Sequence, residues 1–266
     1  MLIKIILVLL FFSVMIGIGL YCRKHSTDVN GFVLGGRSVG PWLTAFAYGT
    51  SYFSAVVFVG YAGQFGWRYG IAATWAGLGN AFIGSLMAWA VLGRRTRIMS
   101  QYLSSATMPD FFGKRFRSNP LKNAASIICF IFLIPYTASL YNGLSRLFGM
   151  AFSVDYSVCV IIMAVLTGIY VVAGGYMATA INDFIQGIIM LIGISAVIVA
   201  VLESKGGFTE ALAGIAQISD PNAATPLAKS PGIFASFFGP DPVNLLGVVI
   251  LTSLGTWGLP QMVQKF

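Results

Sequence analysis

Three places could do chemistry, two inside long uncharged runs and the third, a single carboxylate, between two such runs. The first is Ala47-Tyr-Gly-Thr-Ser-Tyr-Phe-Ser-Ala55, where glycine and hydroxyl residues gather in the middle of an apolar stretch. An interrupted helix at bilayer mid-depth exposes backbone carbonyls, which is tolerable where they line a cavity or bind an ion. Such carbonyls, with hydroxyls, are the oxygen donors a hard cation such as sodium takes. The same small residues also suit close helix packing, so both readings stand. The second cluster is Thr252-Ser-Leu-Gly-Thr-Trp-Gly-Leu-Pro-Gln261, whose two glycines and proline predict a broken helix. Trp257 there is either a cavity wall or an interfacial anchor. The third is Asp183, ahead of the uncharged run 184–202. At a helix N-terminus a carboxylate is a favourable cap. Within the depth of a bilayer it is functional by default, since its desolvation costs about 2.5–3.5 kcal/mol at the centre.

Other chemistries find no support. Cys22, Cys129 and Cys159 show no metal-ligand spacing, and the single His25 sits among basic residues. No metal site, cofactor motif or nucleophile-base pair emerges, so the chain does not read as an enzyme.

The elements that must position these residues follow from charge. Charged residues make up 9% of the chain and hydrophobic ones 57%. Ordinary soluble domains carry about 25% charged residues, so lipid is the natural solvent for this surface. The stretches 5–22, 38–67, 69–93, 123–145, 156–182, 184–202 and 242–264 contain no Asp, Glu, Lys or Arg. A helix needs about 20 apolar residues to cross the hydrocarbon layer. Each stretch therefore predicts one crossing, placed at about 3–22, 41–62, 70–93, 123–145, 156–174, 184–202 and 243–263. The runs lack the alternation of a barrel strand, so the expected fold class is all-α, a polytopic helical bundle of about seven transmembrane helices.

Orientation comes from the loops. If the N-terminus is outside and the spans alternate, the cytoplasmic segments hold eleven of the sixteen basic residues. That bias matches the positive-inside rule and places residue 266 inside the cytoplasmic membrane. The formal charge of +8 is thus a topology signal, with the lipid bilayer as partner and no nucleic acid. Arg23 and Lys24 directly after the first run favour a retained span over a cleaved signal. The loop 94–122 predicts a short amphipathic segment on the cytoplasmic surface, and Phe208–Ile218 a surface helix. The abrupt stop after an apolar span leads us to expect the N-terminal part of a longer protein.

Taken together, these residues resemble the sodium:solute symporter family. Phe32-Val-Leu-Gly-Gly-Arg-Ser-Val-Gly-Pro41 resembles the loop before that family's second span. Thr107 to Phe116, Gly174-Gly175 through Asp183 to Gln186, and Trp257-Gly258 with Pro260 follow in matching order. The resemblance covers essentially the whole chain. It implies a leucine-transporter-type inverted-repeat fold, cut after its first repeat, and sodium-driven symport of a small organic solute by alternating access.

By position, the resemblance implies that backbone carbonyls at Thr50 and Phe53, with Ser54, bind sodium as the coupling ion. Remaining ligands would come from a later helix outside these residues, so weak sodium binding is expected here. It assigns Tyr52, Ser54, Thr252, Thr256 and Trp257 to the solute, and Arg37 and Asp183 to coupling and ion release. Proline-type members carry Asp at the place of Tyr52, a departure that argues against simple assignment as a proline carrier. The stretch 182–193 is most similar to pantothenate-type members. A transporter-like sensor input domain and a proton-coupled carrier on the same fold are the alternative readings.

Overall fold

The structure is a computed structural model that describes residues 2–23, 28–35, 39–52, 61–219, 226–263 and 265. Every regular element among them is helical. Four helical stretches are long and apolar enough to cross a membrane: Leu2–Cys22, Ala62–Tyr102, Asn119–Phe152 and Tyr156–Ser204, with the shorter Pro242–Gly258 beside them. Large apolar side chains cover their outer faces, Leu7, Leu10, Phe130, Ile161 and Val172 among them. In water that surface would be untenable; in lipid it is the solvent-matched face. The chain is a multi-pass, all-α membrane bundle. It divides into two compact units, the first being Met1–Val59, Thr96–Ile188 and Pro260–Lys265, the second Gly60–Arg95 and Ile189–Leu259 with Phe266.

In the first unit, helix α1 (Leu2–Cys22) buries Met15, Gly19 and Cys22, a single stripe at helical spacing. A Cβ on Gly19 would lie 2.9 Å from the backbone of Tyr170, and one on Gly174 would lie 2.7 Å from the Gly19 carbonyl oxygen. Backbones touch there because neither residue carries a side chain, the usual device of membrane helix crossings. Helix α2 (Val29–Leu34) is short, and helix α3 (Pro41–Tyr52) follows.

Helix α9 (Tyr156–Ser204) contains both expected spans 156–174 and 184–202, as two helical segments that meet at Gly175. The rod is redirected at Gly175, whose φ of 57° and ψ of −150° leave the helical region. That conformation is essentially confined to glycine. A Cβ there would sit 2.8 Å from the Phe32 carbonyl oxygen, so α2 occupies the space the missing side chain leaves.

The run 94–122 forms α6 (Arg94–Tyr102) and α7 (Met108–Phe116), and α7 packs on the start of α8 (Asn119–Phe152). Thr107 caps α7 by accepting from the Asp110 amide at 3.3 Å, and Ser118 caps α8 from the Leu121 amide at 3.3 Å. Asp110 binds Lys114 at 2.9 Å and Lys122 at 2.8 Å, closing the junction. Burial pushes its carboxyl up, but hydrogen bonds and charge from Lys122 and Lys114 outweigh that and hold it below its ordinary value.

In the second unit, Ala62–Tyr69 (α4), a 3-10 turn Gly70–Ala73 and Thr74–Gly79 (α5) lead into π-helical turns Asn80–Met87 and Trp89–Gly93. A small core of Tyr69, Ala72 and Leu245, flanked by Phe65, Ala73 and Val249, joins this stretch to α11 (Pro242–Gly255). Gly70 takes a positive φ of 62°, and the Phe234 backbone fills the place of its missing side chain. Helix α10 (Phe208–Ala216) forms within the expected surface segment. Helix α11 ends at Gly255, tightens into a 3-10 turn over Thr256–Gly258 and breaks at the extended Leu259. Pro260 then opens the one-turn helix α12 (Pro260–Val263).

Candidate cation site of the first unit

The interruption expected around 49–54 is absent from its described part, because α3 runs unbroken through Tyr52. The hydroxyl residues turn inward instead of opening the helix. Thr44 Oγ1 donates to the Gly40 carbonyl at 3.0 Å and Thr50 Oγ1 to the Phe46 carbonyl at 2.8 Å. This back-bonding commits the hydroxyl protons of Thr44 and Thr50 to their own helix. Phe53, Ser54 and Arg37 lie outside the described residues.

A polar cluster nevertheless forms on the face of α3 that carries Ala47 and Ser51. Helix α9 crosses α3 at Gly187, where a Cβ would come within 2.5 Å of the Phe46 ring and 3.1 Å of Thr50 Cγ2. Phe184 meets Phe46 edge-on, with ring centroids 4.8 Å apart. This tight crossing brings Asp183 against the α3 face that carries Ala47 and Ser51. Past α12, the Lys265 ammonium lies 3.4 Å from Asp183 Oδ2. It also donates to the Ala47 carbonyl oxygen and to Ser51 Oγ.

One carboxylate, one carbonyl and one hydroxyl therefore converge on a single cation. The side chains of Lys265 and Asp183 retain 10% and 22% exposure, so the pair is largely withdrawn from solvent. Nearby, Asn182 is buried with neither amide atom hydrogen-bonded, and Gln261 has both its amide atoms buried and unpartnered. Tyr52 stacks on Tyr48 with centroids 5.9 Å apart.

The other residues expected to contact solute belong to the second unit. Thr252 Oγ1 accepts from Asn80 Nδ2 at 3.0 Å and donates to the Val248 carbonyl at 2.8 Å. Thr256 Oγ1 donates to the Ser253 carbonyl at 2.9 Å. Trp257 Nε1 donates to the Ile83 carbonyl at 2.9 Å, within the π-helical stretch. Wide turns of this kind recur at functional sites. Here they offer a carbonyl that pins the tryptophan at the helix break.

Sequence reasoning missed Lys265, Ser51 and Asn80 as site residues. Asn80 was discoverable, being a lone amide inside the uncharged run 69–93. Lys265 had only its place in the charge count, since its partners are distant in sequence.

Comparison with known proteins agrees with this architecture. The model of the "Sodium:solute symporter family" matches residues 32–266. The chain is 30% identical over 260 residues to the "Osmoregulated proline transporter OpuE" of Bacillus subtilis (strain 168), covering 97% of this chain and 50% of that protein. It is 32% identical over 275 residues to the "Sodium/proline symporter" of Staphylococcus aureus (strain JH9), covering 98% of this chain and 49% of that protein. The chain thus spans about half the length of the curated relatives it matches. With a family match over residues 32–266 and the membrane-spanning helices to accompany it, the chain belongs to the sodium:solute symporter family.

Proposed function

We propose that the protein carrying this chain drives uptake of a small organic solute across the cytoplasmic membrane by sodium symport. Alternating access on a leucine-transporter-type inverted-repeat fold is the mechanism, with these helices forming the first repeat. The N-terminus lies outside and residue 266 inside, on the loop charge bias. Sodium takes the Thr50 and Phe53 carbonyls and Ser54, and solute meets Tyr52, Ser54, Thr252, Thr256 and Trp257. Arg37 and Asp183 couple the two and govern ion release.

The observation that carries the reading is the convergence of Asp183, Ser51 and the Ala47 carbonyl on one cation inside a membrane bundle. An ionisable pair at such a place is costly to bury, and in membranes such groups mark ion and substrate paths. The relatives named for proline support an amino-acid-sized solute. Tyr52 supports a solute set different from theirs.

The test is uptake of labelled proline and labelled pantothenate into proteoliposomes holding the protein, with an inward sodium gradient or with choline. Uptake of one solute that needs sodium is expected. Uptake driven equally by a proton gradient without sodium refutes the proposal.

A further inference from the structure

We infer that Lys265 is a tethered stand-in for sodium: its ammonium occupies a cation seat built by Asp183 Oδ2, Ser51 Oγ and the Ala47 carbonyl oxygen, and sodium binds there only when the lysine leaves. The inference rests on the sodium-coupled reading above and adds to it a second seat, on the face of α3 that carries Ala47 and Ser51.

The chemistry of the seat is that of a hard monovalent cation. A lysine ammonium has three N–H donors and no acceptor, and here it meets three oxygen acceptors of three kinds. Carboxylate, hydroxyl and carbonyl oxygens are equally the donors that hard metal cations take. The three acceptors are held on two helices whose separation is fixed by the Gly187 contact with Phe46 and Thr50. The seat therefore persists whichever cation fills it. The four-carbon lysine stem can swing out without moving the backbone.

Exchange is also what the electrostatics favour. Removing one partner of a buried ion pair leaves an uncompensated charge, which is strongly unfavourable. When sodium arrives as the ammonium departs, Asp183 keeps a positive partner. The released ammonium then reaches water, where its own hydration recovers. The two cations are mutually exclusive because each needs the same three oxygens.

The prediction is tested on the wild-type chain in phospholipid nanodiscs by acylation with an amine-reactive ester, read at Lys265 by peptide mass spectrometry. Samples in sodium chloride are compared with samples in choline chloride at equal ionic strength. Sodium is expected to speed acylation of Lys265 at least threefold and to leave the exposed Lys205 and Lys229 unchanged. In Asp183→Asn, Lys265 should react fast in both salts. Equal rates at Lys265 in the two salts, for the wild-type chain, overturn the inference without any variant having to fold. Sodium-driven uptake with unchanged acylation sinks the exchange alone, whereas uptake indifferent to sodium sinks the reading beneath it.

Discussion

Replacing Gly175 by alanine probes the one place where the longest helix changes direction. The residue adopts φ 57° and ψ −150°, a conformation that an L side chain occupies only under strain of about 1–3 kcal/mol. The new Cβ would also stand 2.8 Å from the Phe32 carbonyl oxygen and 3.1 Å from Phe32 Cα, so α2 must shift. Gly168, in the same helix, is the matched control, since a Cβ there meets nothing within 4 Å. In a helix interior, alanine is favoured over glycine by roughly 0.5–1 kcal/mol. The two variants should therefore differ by about 1.5–4 kcal/mol, in opposite directions from the wild type. With roughly 2–4 °C per kcal/mol for chains of this size class, their midpoints separate by about 3–16 °C. The assay is the fraction of detergent-solubilised protein that stays monodisperse after heating, read against temperature. A Gly175→Ala protein as heat-stable as Gly168→Ala would refute the claim that the bend is imposed by packing against α2.

Two further outcomes follow from the geometry. Trp257→Phe keeps a ring but removes the donor to the Ile83 carbonyl, and should cost about 0.5–1.5 kcal/mol in unfolding; Trp67→Phe, at a position 89% exposed, should cost nothing, and equal effects would dismiss the pin. At the α7–α8 junction, the Asp110 carboxyl titrates below its ordinary 3.8 when folded, so its contribution is complete above that value and is lost as pH falls through the lower folded one. Amide protection across 107–123, taken relative to the intrinsic exchange rate at each pH, should thus hold from neutral pH to about 5 and fall only below about 4; Asp110→Asn should remove the acid step, and protection lost already near pH 6 would contradict the assignment.

How much of this was legible beforehand differs by element. The helix end at Gly255 and the restart at Pro260 follow from local chemistry, because glycine and proline act on the backbone whatever surrounds them. The surface helix α10 and the capped α7 are equally local, resting on Thr107, Asp110 and the apolar spacing around them. Helix α3 runs to Tyr52, and the rest of the stretch expected to break lies outside the described residues. Thr50 Oγ1 donates its proton to the Phe46 carbonyl, a back-bond that composition does not reveal.

The sequence by itself determined the solvent and the helical class, because charge placement over 266 residues leaves lipid as the only medium for such a surface, while the family resemblance rested on motifs in matching order. It also singled out Asp183, since an isolated carboxylate between apolar runs demands a partner. Only the tertiary structure decided what that partner is. Lys265 stands 82 positions away from Asp183, and Ala47 stands 218 positions from Lys265. The crossing at Gly187 brings Asp183 to α3, and that crossing is fixed by a missing side chain on one element meeting Phe46 and Thr50 on the other. Long-range pairing of that kind depends on shape, to which a linear pattern of residue types is blind.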